Sequence, residues 1–261
     1  MRTGVALTGL AAATLLLLGV GCGGEGPGQA AVKAAVRDAF QTFNERDLEG
    51  FLGRITDNFY APYFSKDDIR RRVASGKYFL GQPAVEVIEV RDIEIVGDSA
   101  TARVTAREGR VRSTETYKLI RSGDTWLLGG SEPLKVATPS GAVEVSVDLV
   151  EFGFALSEST LPSGDIAFQL TNAGRQAHEM VVIRLLEGVS IQEALKAEDL
   201  AALGVADFGS IAPVDPGGEA TGIMEALEPG RYGYACFLPD AEDPEKTPHA
   251  FKGMAGEFRV E

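Results

Sequence analysis

The feature that most limits the fold of this chain is a change in hydrophobic periodicity near residue 76. Before that point, apolar residues recur at helical spacing, as at Val32, Val36, Phe40 and Phe43. After it, apolar residues alternate with polar ones, as in strands that are buried on one face. The pattern therefore excludes an all-helical fold. It predicts an α+β first half followed by an all-β second half.

The first half is predicted as one domain over residues 29–132. After the helix that carries Val32, we expect a second helix from Leu48 to about Phe59. A third should begin at the N-cap Ser65 and end at Gly76. Four strands should follow: Val85 to Val96, Ala100 to Ala106, Val111 to Ile120 and Trp126 to Leu128.

The end of this domain carries the strand Tyr117-Lys118-Leu119-Ile120-Arg121, a turn, and then Trp126. It resembles the nuclear transport factor two and ketosteroid isomerase-like superfamily, which includes both enzymes and binding modules. The resemblance implies a cone-shaped domain of helices packed on a curved antiparallel sheet. This half contains no histidine. Asp57, Tyr60 and Glu89 could line the cone, but structural or surface roles are favoured, so we expect no catalysis here.

The second half begins after a cluster of Pro, Ser and Gly that predicts a linker over residues 133–141. Residues 142–261 form the second predicted domain. Strands are expected around Val143 to Phe154, Ile166 to Leu170, His178 to Ile183, Tyr232 to Cys236, and Glu257 to Val260. Ser190 and Glu193 form a capping-box pattern for a helix running to about Leu203. These elements predict a Greek-key sandwich with one helical insertion.

This half also contains both histidines and the one cysteine outside the N-terminal segment, in the order His178, Cys236, His249, followed by Met254. Two neutral imidazoles, a thiolate and a weak thioether are the donor set of type-1 copper. The run Tyr232 to Cys236, then His249-x4-Met254, resembles the C-terminal signature of the cupredoxin, or blue copper, family. The resemblance implies that these four residues bind one copper ion for electron transfer.

Two departures from the family pattern leave alternatives open. Twelve residues separate Cys236 from His249, more than in small blue copper proteins, although copper nitrite reductases have a longer loop and a Pro such as Pro248. Glu179 stands where an Asn usually joins the ligand loops. The alternatives are a protein that captures copper without redox turnover and a metal-free binding domain. In those cases Cys236 and Met254 are core residues.

Met180 shares a strand face with His178 and is expected in the core, with a competing axial role as the alternative. Nitrite reduction is not supported, because it needs a second copper site built from further histidines and the chain has two in all. We therefore expect an electron carrier or a binding protein and not an enzyme.

The N-terminus carries an export pattern. Arg2 precedes an apolar run from Val5 to Val20, and Leu18-Gly19-Val20-Gly21-Cys22 resembles a bacterial lipobox. The resemblance implies a signal peptide over residues 1–21, a lipidated Cys22, and a tether over 22–28. The lipid would hold the protein at a membrane of the bacterial cell envelope, facing the periplasm or the exterior.

Charge further limits the partners. The chain has 38 acidic and 25 basic residues, a net charge of −13, which argues against nucleic-acid binding. Residues 138–261 hold 21 of the acids and 7 of the bases. Four acids lie between the proposed ligands: Asp240, Glu242, Asp243 and Glu245. This predicts association with a cationic redox partner, with solubility as the simpler explanation.

Overall fold

The computed structural model describes residues 26–61, 63–75, 83–197 and 206–261. The expected signal peptide and the lipidated Cys22 lie outside the described residues. The described part is mostly β-sheet with few helices. In the first half, three helices precede four strands, which confirms the predicted order of helices before strands. None of its helices combines the length and the apolarity that are needed to span a bilayer.

The first half contains three helices and four strands. They are α1 (Pro27–Asn44), α2 (Leu48–Leu52), α3 (Lys66–Ala74), β1 (Val85–Val96), β2 (Ser99–Glu108), β3 (Val111–Ser122) and β4 (Thr125–Pro133). The apolar face of α1 buries Val32, Val36, Ala39 and Phe43 in a core shared with the sheet. The spacing of these residues along the helix is what places them on one face.

The predicted extent of the second helix is wrong, because α2 ends at Leu52. The chain then pairs with β4: the amide of Thr56 donates to the carbonyl of Leu128 (2.8 Å), and the amide of Leu128 donates to Arg54 (2.9 Å). These bonds use backbone groups that a helix would need for itself. The third helix begins at the predicted capping box of Ser65 and ends at Ala74, and Gly76 lies outside the described residues.

The second half contains nine strands and a short helix among the described residues. They are β5 (Val143–Val150), β6 (Gly153–Leu156), β7 (Thr160–Leu161), β8 (Gly164–Asn172), β9 (His178–Leu185), α4 (Ile191–Lys196), β10 (Ala206–Val214), β11 (Glu219–Leu227), β12 (Gly230–Ala235) and β13 (Ala255–Val260). The capping box of Ser190 and Glu193 opens α4 as predicted. The predicted extent to Leu203 is wrong, because Ala197 is already extended and the helix ends at Lys196.

The strands form two sheets. The larger sheet has the order β1-β2-β3-β11-β8-β5-β6, and β4 pairs with residues 115–122 of β3. The smaller sheet has the order β10-β9-β12-β13-β7. A large apolar core formed by strands of both sheets fills the second half, and a smaller cluster packs α4 against β9. The large core includes Cys236, Met254 and Met180, so the expected core position of Met180 is observed.

The two halves share the larger sheet. The start of β3 pairs with β11 through Val111, Arg112 and Ser113. Leu134 lies in the predicted linker, yet its amide donates to Thr114 (2.9 Å) and its carbonyl accepts from Thr221 (3.1 Å). This part of the linker therefore connects the two halves by backbone hydrogen bonds.

Candidate metal centre

Three of the four predicted ligands converge in the core of the second half. His178 is the first residue of β9, Cys236 directly follows β12, and His249 opens a short 3-10 turn before β13. One ligand atom from each residue lies within 4.8 Å of the other two. The Nδ1 atoms of the two imidazoles are 3.1 Å apart, and Cys236 Sγ is 3.4 Å from His249 Nδ1. Two nitrogens and a sulfur thus lie close together, and this is a donor set that suits copper.

The ring of His178 is oriented by a carboxylate. Its Nε2 lies 3.3 Å from Glu151 Oε1, an atom that also accepts the backbone amides of Arg175 (2.6 Å) and Gln176 (2.7 Å). A carboxylate on the remote nitrogen fixes the ring and leaves Nδ1 for the site. Burial lowers the pKa of His178, and Glu151 opposes that shift. The imidazole is therefore neutral near pH 7, as a metal ligand must be.

The ring of His249 is held mainly by packing. It is 1% exposed, and its centre lies 5.0 Å from the ring of Phe152. Burial, followed by the neighbouring His178, lowers its pKa to about 4. Among the described residues, no group hydrogen-bonds to its buried Nε2. The other ring nitrogen, Nδ1, is the atom that lies close to His178 Nδ1 and Cys236 Sγ.

Cys236 is fully buried, and burial followed by the charge of Glu179 raises the pKa of its thiol well above the usual range. Without a metal the group is therefore a neutral thiol. Met254 is also fully buried; its carbonyl accepts the amide of Cys236 (3.1 Å), and its amide donates to His249 (3.1 Å). The backbone thus places all three residues of the C-terminal signature side by side.

The twelve residues between Cys236 and His249 are ordered as a hairpin, here called the ligand hairpin (residues 237–248). Pro239 and Pro248 form an isolated bridge, and the amide of Asp240 donates to Thr247 (3.0 Å). The length of the insertion therefore does not separate the ligands.

Ion pairs and hydrogen bonds of side chains connect the ligand hairpin to neighbouring parts of the centre. Lys252 Nζ contacts Asp240 (2.6 Å) and Asp243 (2.8 Å). Gln176 donates to Asp240 (2.8 Å) and accepts the amide of Ala241 (2.7 Å). Lys252 lowers the pKa of Asp243 to about 2. Two of the four acids in the insertion therefore share one lysine cation that lies just beyond the hairpin.

Glu179 joins the strands that carry the ligands. Its Oε1 accepts the amide of Phe237 at 3.0 Å, immediately after Cys236. The residue thus makes a connection between the first ligand strand and the ligand hairpin, which is the kind of support that the sequence had put in doubt. Burial raises the pKa of Glu179 to about 7.

The structure does not bring the candidate residues of the first half to this centre. Asp57 is exposed and pairs with Lys66 (3.2 Å), Tyr60 packs on Phe59 (4.8 Å), and Glu89 pairs with Arg91 (2.9 Å). Sequence reasoning missed Glu151 and Gln176, which orient the centre from outside. A single sequence offers no signal for them, because their partners are 27 and 64 residues away.

No family model and no curated protein matches the sequence. Solved structures that resemble it include auracyanin from Roseiflexus castenholzii (22% identity, 48% of this chain and 99% of that chain, TM-score 0.30). Another is auracyanin A, a "blue" copper protein from Chloroflexus aurantiacus (16% identity, 46% and 100%, TM-score 0.32). A third is an NTF2-like protein from Cytophaga hutchinsonii (12% identity, 41% and 98%, TM-score 0.35). At these values the likenesses carry no weight for function, which rests on the centre itself.

Proposed function

We propose that this chain is an envelope lipoprotein, anchored through Cys22, that binds one copper ion through His178, Cys236, His249 and Met254 and transfers electrons. The observation that carries the proposal is the proximity of two imidazole nitrogens and one thiol sulfur, all from buried residues. The first half is taken as a cone-shaped α+β domain, and the second as a Greek-key cupredoxin-like sandwich. No catalysis is assigned to either half.

Copper would supply one-electron chemistry by alternating between Cu(I) and Cu(II). The chain's own task is to present neutral imidazoles and to release the thiol proton of Cys236 when the metal binds. Glu151 keeps His178 in one orientation through the 3.3 Å contact with Nε2. The buried core around Cys236 and Met254 would keep water away from a copper ion held by these residues.

A second candidate is a protein that captures copper without redox turnover. The burial of His249, which is 1% exposed behind Phe152, favours it, because electron exchange is slower when no ligand reaches the surface. A metal-free binding or docking role is the remaining alternative. Neutral imidazoles that face a thiol would then serve only as core contacts.

Copper reconstitution followed by spectroelectrochemistry tests these candidates. The electron carrier should bind one copper, show an intense thiolate-to-copper absorption band, and lose and regain that band reversibly at one potential. Copper retention without reversible oxidation would support capture instead. Failure to retain copper would leave the binding or docking role.

The partner is proposed to be a cationic redox protein. Glu242 and Glu245 are exposed in the ligand hairpin, and Phe251, two residues after His249, is 57% exposed. Asp240 and Asp243 are paired with Lys252, so they contribute less to the negative potential at this surface than the sequence suggests. An on-rate that falls with ionic strength would support this partner. A salt-independent on-rate would contradict it.

A further inference from the structure

The candidate ligands are closed off from solvent, so an ion can reach them only where some part of their cover opens. His178, Cys236 and Met254 are fully buried, and His249 is 1% exposed. His178 lies in β9, which is paired on one side with β10 and on the other with β12, and Cys236 directly follows β12. Opening such ladders breaks many backbone hydrogen bonds at once. The opening is therefore expected where a side chain, and not a strand, forms the cover.

On the side of His249, the cover is the side chain of Phe152. Among the described residues, two aromatic rings contact His249: the ring of His178, which meets it through Nδ1, and the ring of Phe152, whose centre lies 5.0 Å away. Phe152 belongs to the two-residue turn between β5 and β6 and is half-buried, so part of its ring reaches the surface. Glu151 in the same turn is held by the amides of Arg175 and Gln176, which leaves the side chain of Phe152 as the movable part.

A cation holds this ring in place. Lys252 Nζ lies 5.6 Å from the centre of the Phe152 ring, a distance at which an ammonium group is attracted to an aromatic face. The same Nζ contacts Asp240 (2.6 Å) and Asp243 (2.8 Å). Lys252 closes the 3-10 turn that begins at His249. One side chain thus connects the Phe152 ring, the ligand hairpin and the turn that carries the ligand.

The closed position leaves one polar atom of the centre without a partner. His249 Nε2 is buried, and no group of the described residues hydrogen-bonds to it. His178 Nε2, by contrast, lies 3.3 Å from Glu151 Oε1. A buried nitrogen without a partner costs free energy that is recovered when the atom meets solvent. Closure over His249 therefore carries a cost that outward movement of the Phe152 ring removes.

We propose that the side chain of Phe152 is a gate through which a metal ion enters and leaves the centre beside His249, and that Lys252 is the latch that holds the gate closed. The proposal rests on the proposed function only for the identity of the ion. Removing a gate speeds entry and exit together and leaves the ligand set, and hence the affinity, nearly unchanged. Access to His249 is a property of the metal-free chain as well.

The first arm of the test measures access to His249 in the metal-free full chain. The probe is diethyl pyrocarbonate, which acylates neutral imidazole nitrogens, and peptide mass spectrometry gives the rate at each histidine. Phe152→Ala should raise the rate at His249 by about tenfold or more, because the reaction no longer waits for the ring to move. The rate at His178 should rise much less, since its Nε2 keeps its contact with Glu151.

Phe251→Ala is the matched control, because it removes an aromatic ring that is 57% exposed from the turn that begins at His249. Its rate at His249 should stay near that of the wild type. Phe152→Leu, which keeps apolar bulk, should give an intermediate rate and serves if the alanine variant does not fold. An unchanged rate at His249 in the folded Phe152 variants, an equal rise at both histidines, or an equal rise with Phe251→Ala would overturn the proposal.

The latch is tested with the same probe. Lys252→Met should raise the rate at His249 by about threefold, less than Phe152→Ala does, because the ring loses its cation but stays in place. Lys246→Met removes a lysine from the ligand hairpin and should leave the rate unchanged. Equal rates in Lys252→Met and the wild type would show that Lys252 does not hold the gate.

The second arm separates the gate from the function proposed above. Phe152→Ala should take up copper and release it to a chelator about tenfold faster than the wild type and Phe251→Ala, with less than about a threefold change in affinity. A loss of affinity without faster uptake would show that Phe152 supports the ligand and is not a gate. If the wild type binds no copper, the proposed function fails, and the acylation rates still decide the role of Phe152. If copper binds and no rate changes, the function stands and the gate fails.

Discussion

At the residue scale, the sequence was sufficient to identify the groups that meet, but not the groups that orient them. His178, Cys236 and His249 could be chosen because the chain has two histidines in all and one cysteine outside its N-terminal segment. Glu151 and Gln176 are ordinary surface residue types, and their roles depend on contacts across the fold. The capping boxes of Ser65 and Ser190 were predictable, since both partners lie within one turn.

Gly174 illustrates a constraint at this scale that only the structure reveals. A Cβ at this position would lie 2.7 Å from Glu151 Oε1 and 3.0 Å from His178 Nε2. Gly174→Ala should therefore displace the carboxylate from the imidazole, lowering the free energy of unfolding by about 1–3 kcal/mol. Copper affinity should fall by about tenfold or more, because the ring of His178 loses its fixed orientation.

Chemical denaturation and competition titration with a copper chelator measure the two effects. Gly153→Ala is the control, since its added Cβ would meet only Val150, at 3.7 Å. Wild-type affinity and stability in Gly174→Ala would show that Glu151 does not orient His178.

At the element scale, strand β5, which alternates buried and exposed residues, was predictable, whereas strand β11, which is buried on both faces, was not. Strand β5 alternates buried and exposed residues along its length, and its alternation was evident in the sequence. Strand β11 buries five consecutive residues from Ala220 to Met224, so it lacks a period of two. Helix lengths were overestimated for α2 and α4; for α2 the reason is that the chain after Leu52 pairs with β4 instead of continuing the helix.

The ligand hairpin is an element whose stability depends on one cation. Lys252 Nζ contacts both Asp240 and Asp243, and Asp240 is 4% exposed. Lys252→Met should leave a buried carboxylate without its cation, costing about 1–2 kcal/mol of local stability. We expect amide hydrogen exchange over residues 237–248 to quicken by about tenfold.

Lys246→Met makes the same charge change within the ligand hairpin and is the control, since Lys246 Nζ donates to the carbonyl of Ala241 (3.1 Å) and forms no ion pair among the described residues. It should leave exchange nearly unchanged. Equal exchange in Lys252→Met and the wild type would mean that the backbone bonds alone order the hairpin.

At the scale of the whole molecule, the shared sheet is the feature that sequence reasoning could not reach. Residues 111–113 pair with 222–224, more than a hundred positions later, and no local pattern marks such a partner. The two halves were predicted from the Pro, Ser and Gly cluster over residues 133–141. Their connection through Leu134 and β11 makes the junction part of the fold, and Tyr63 of the first half packs against the core of the second.

The pKa of Glu108 provides a test of the junction between the two halves. Burial raises its pKa to about 7, with Glu179 and Glu115 adding to the shift and a hydrogen bond from Ser210 opposing it. The folded state therefore binds more protons than the unfolded state between pH 4.5 and 7, so stability from this group is lost as pH rises through that window. Glu108→Gln should raise the free energy of unfolding by about 2 kcal/mol at pH 8 and by nearly nothing at pH 4.

Urea unfolding at the two pH values measures this difference. Glu94→Gln, at an exposed position of β1, should show no such dependence. If the Glu108→Gln difference were the same at both pH values, the surroundings of this carboxyl would not raise its pKa.

The central claim is that two imidazoles and the Cys236 thiolate bind the same copper ion. Copper X-ray absorption spectroscopy of the reconstituted protein tests it most directly, because it identifies the atoms bound to the metal. The structure predicts one sulfur at a short thiolate distance and two imidazole nitrogens in the wild type, with the short sulfur contribution lost in Cys236→Ser. A wild-type spectrum with only nitrogen and oxygen ligands would contradict the claim.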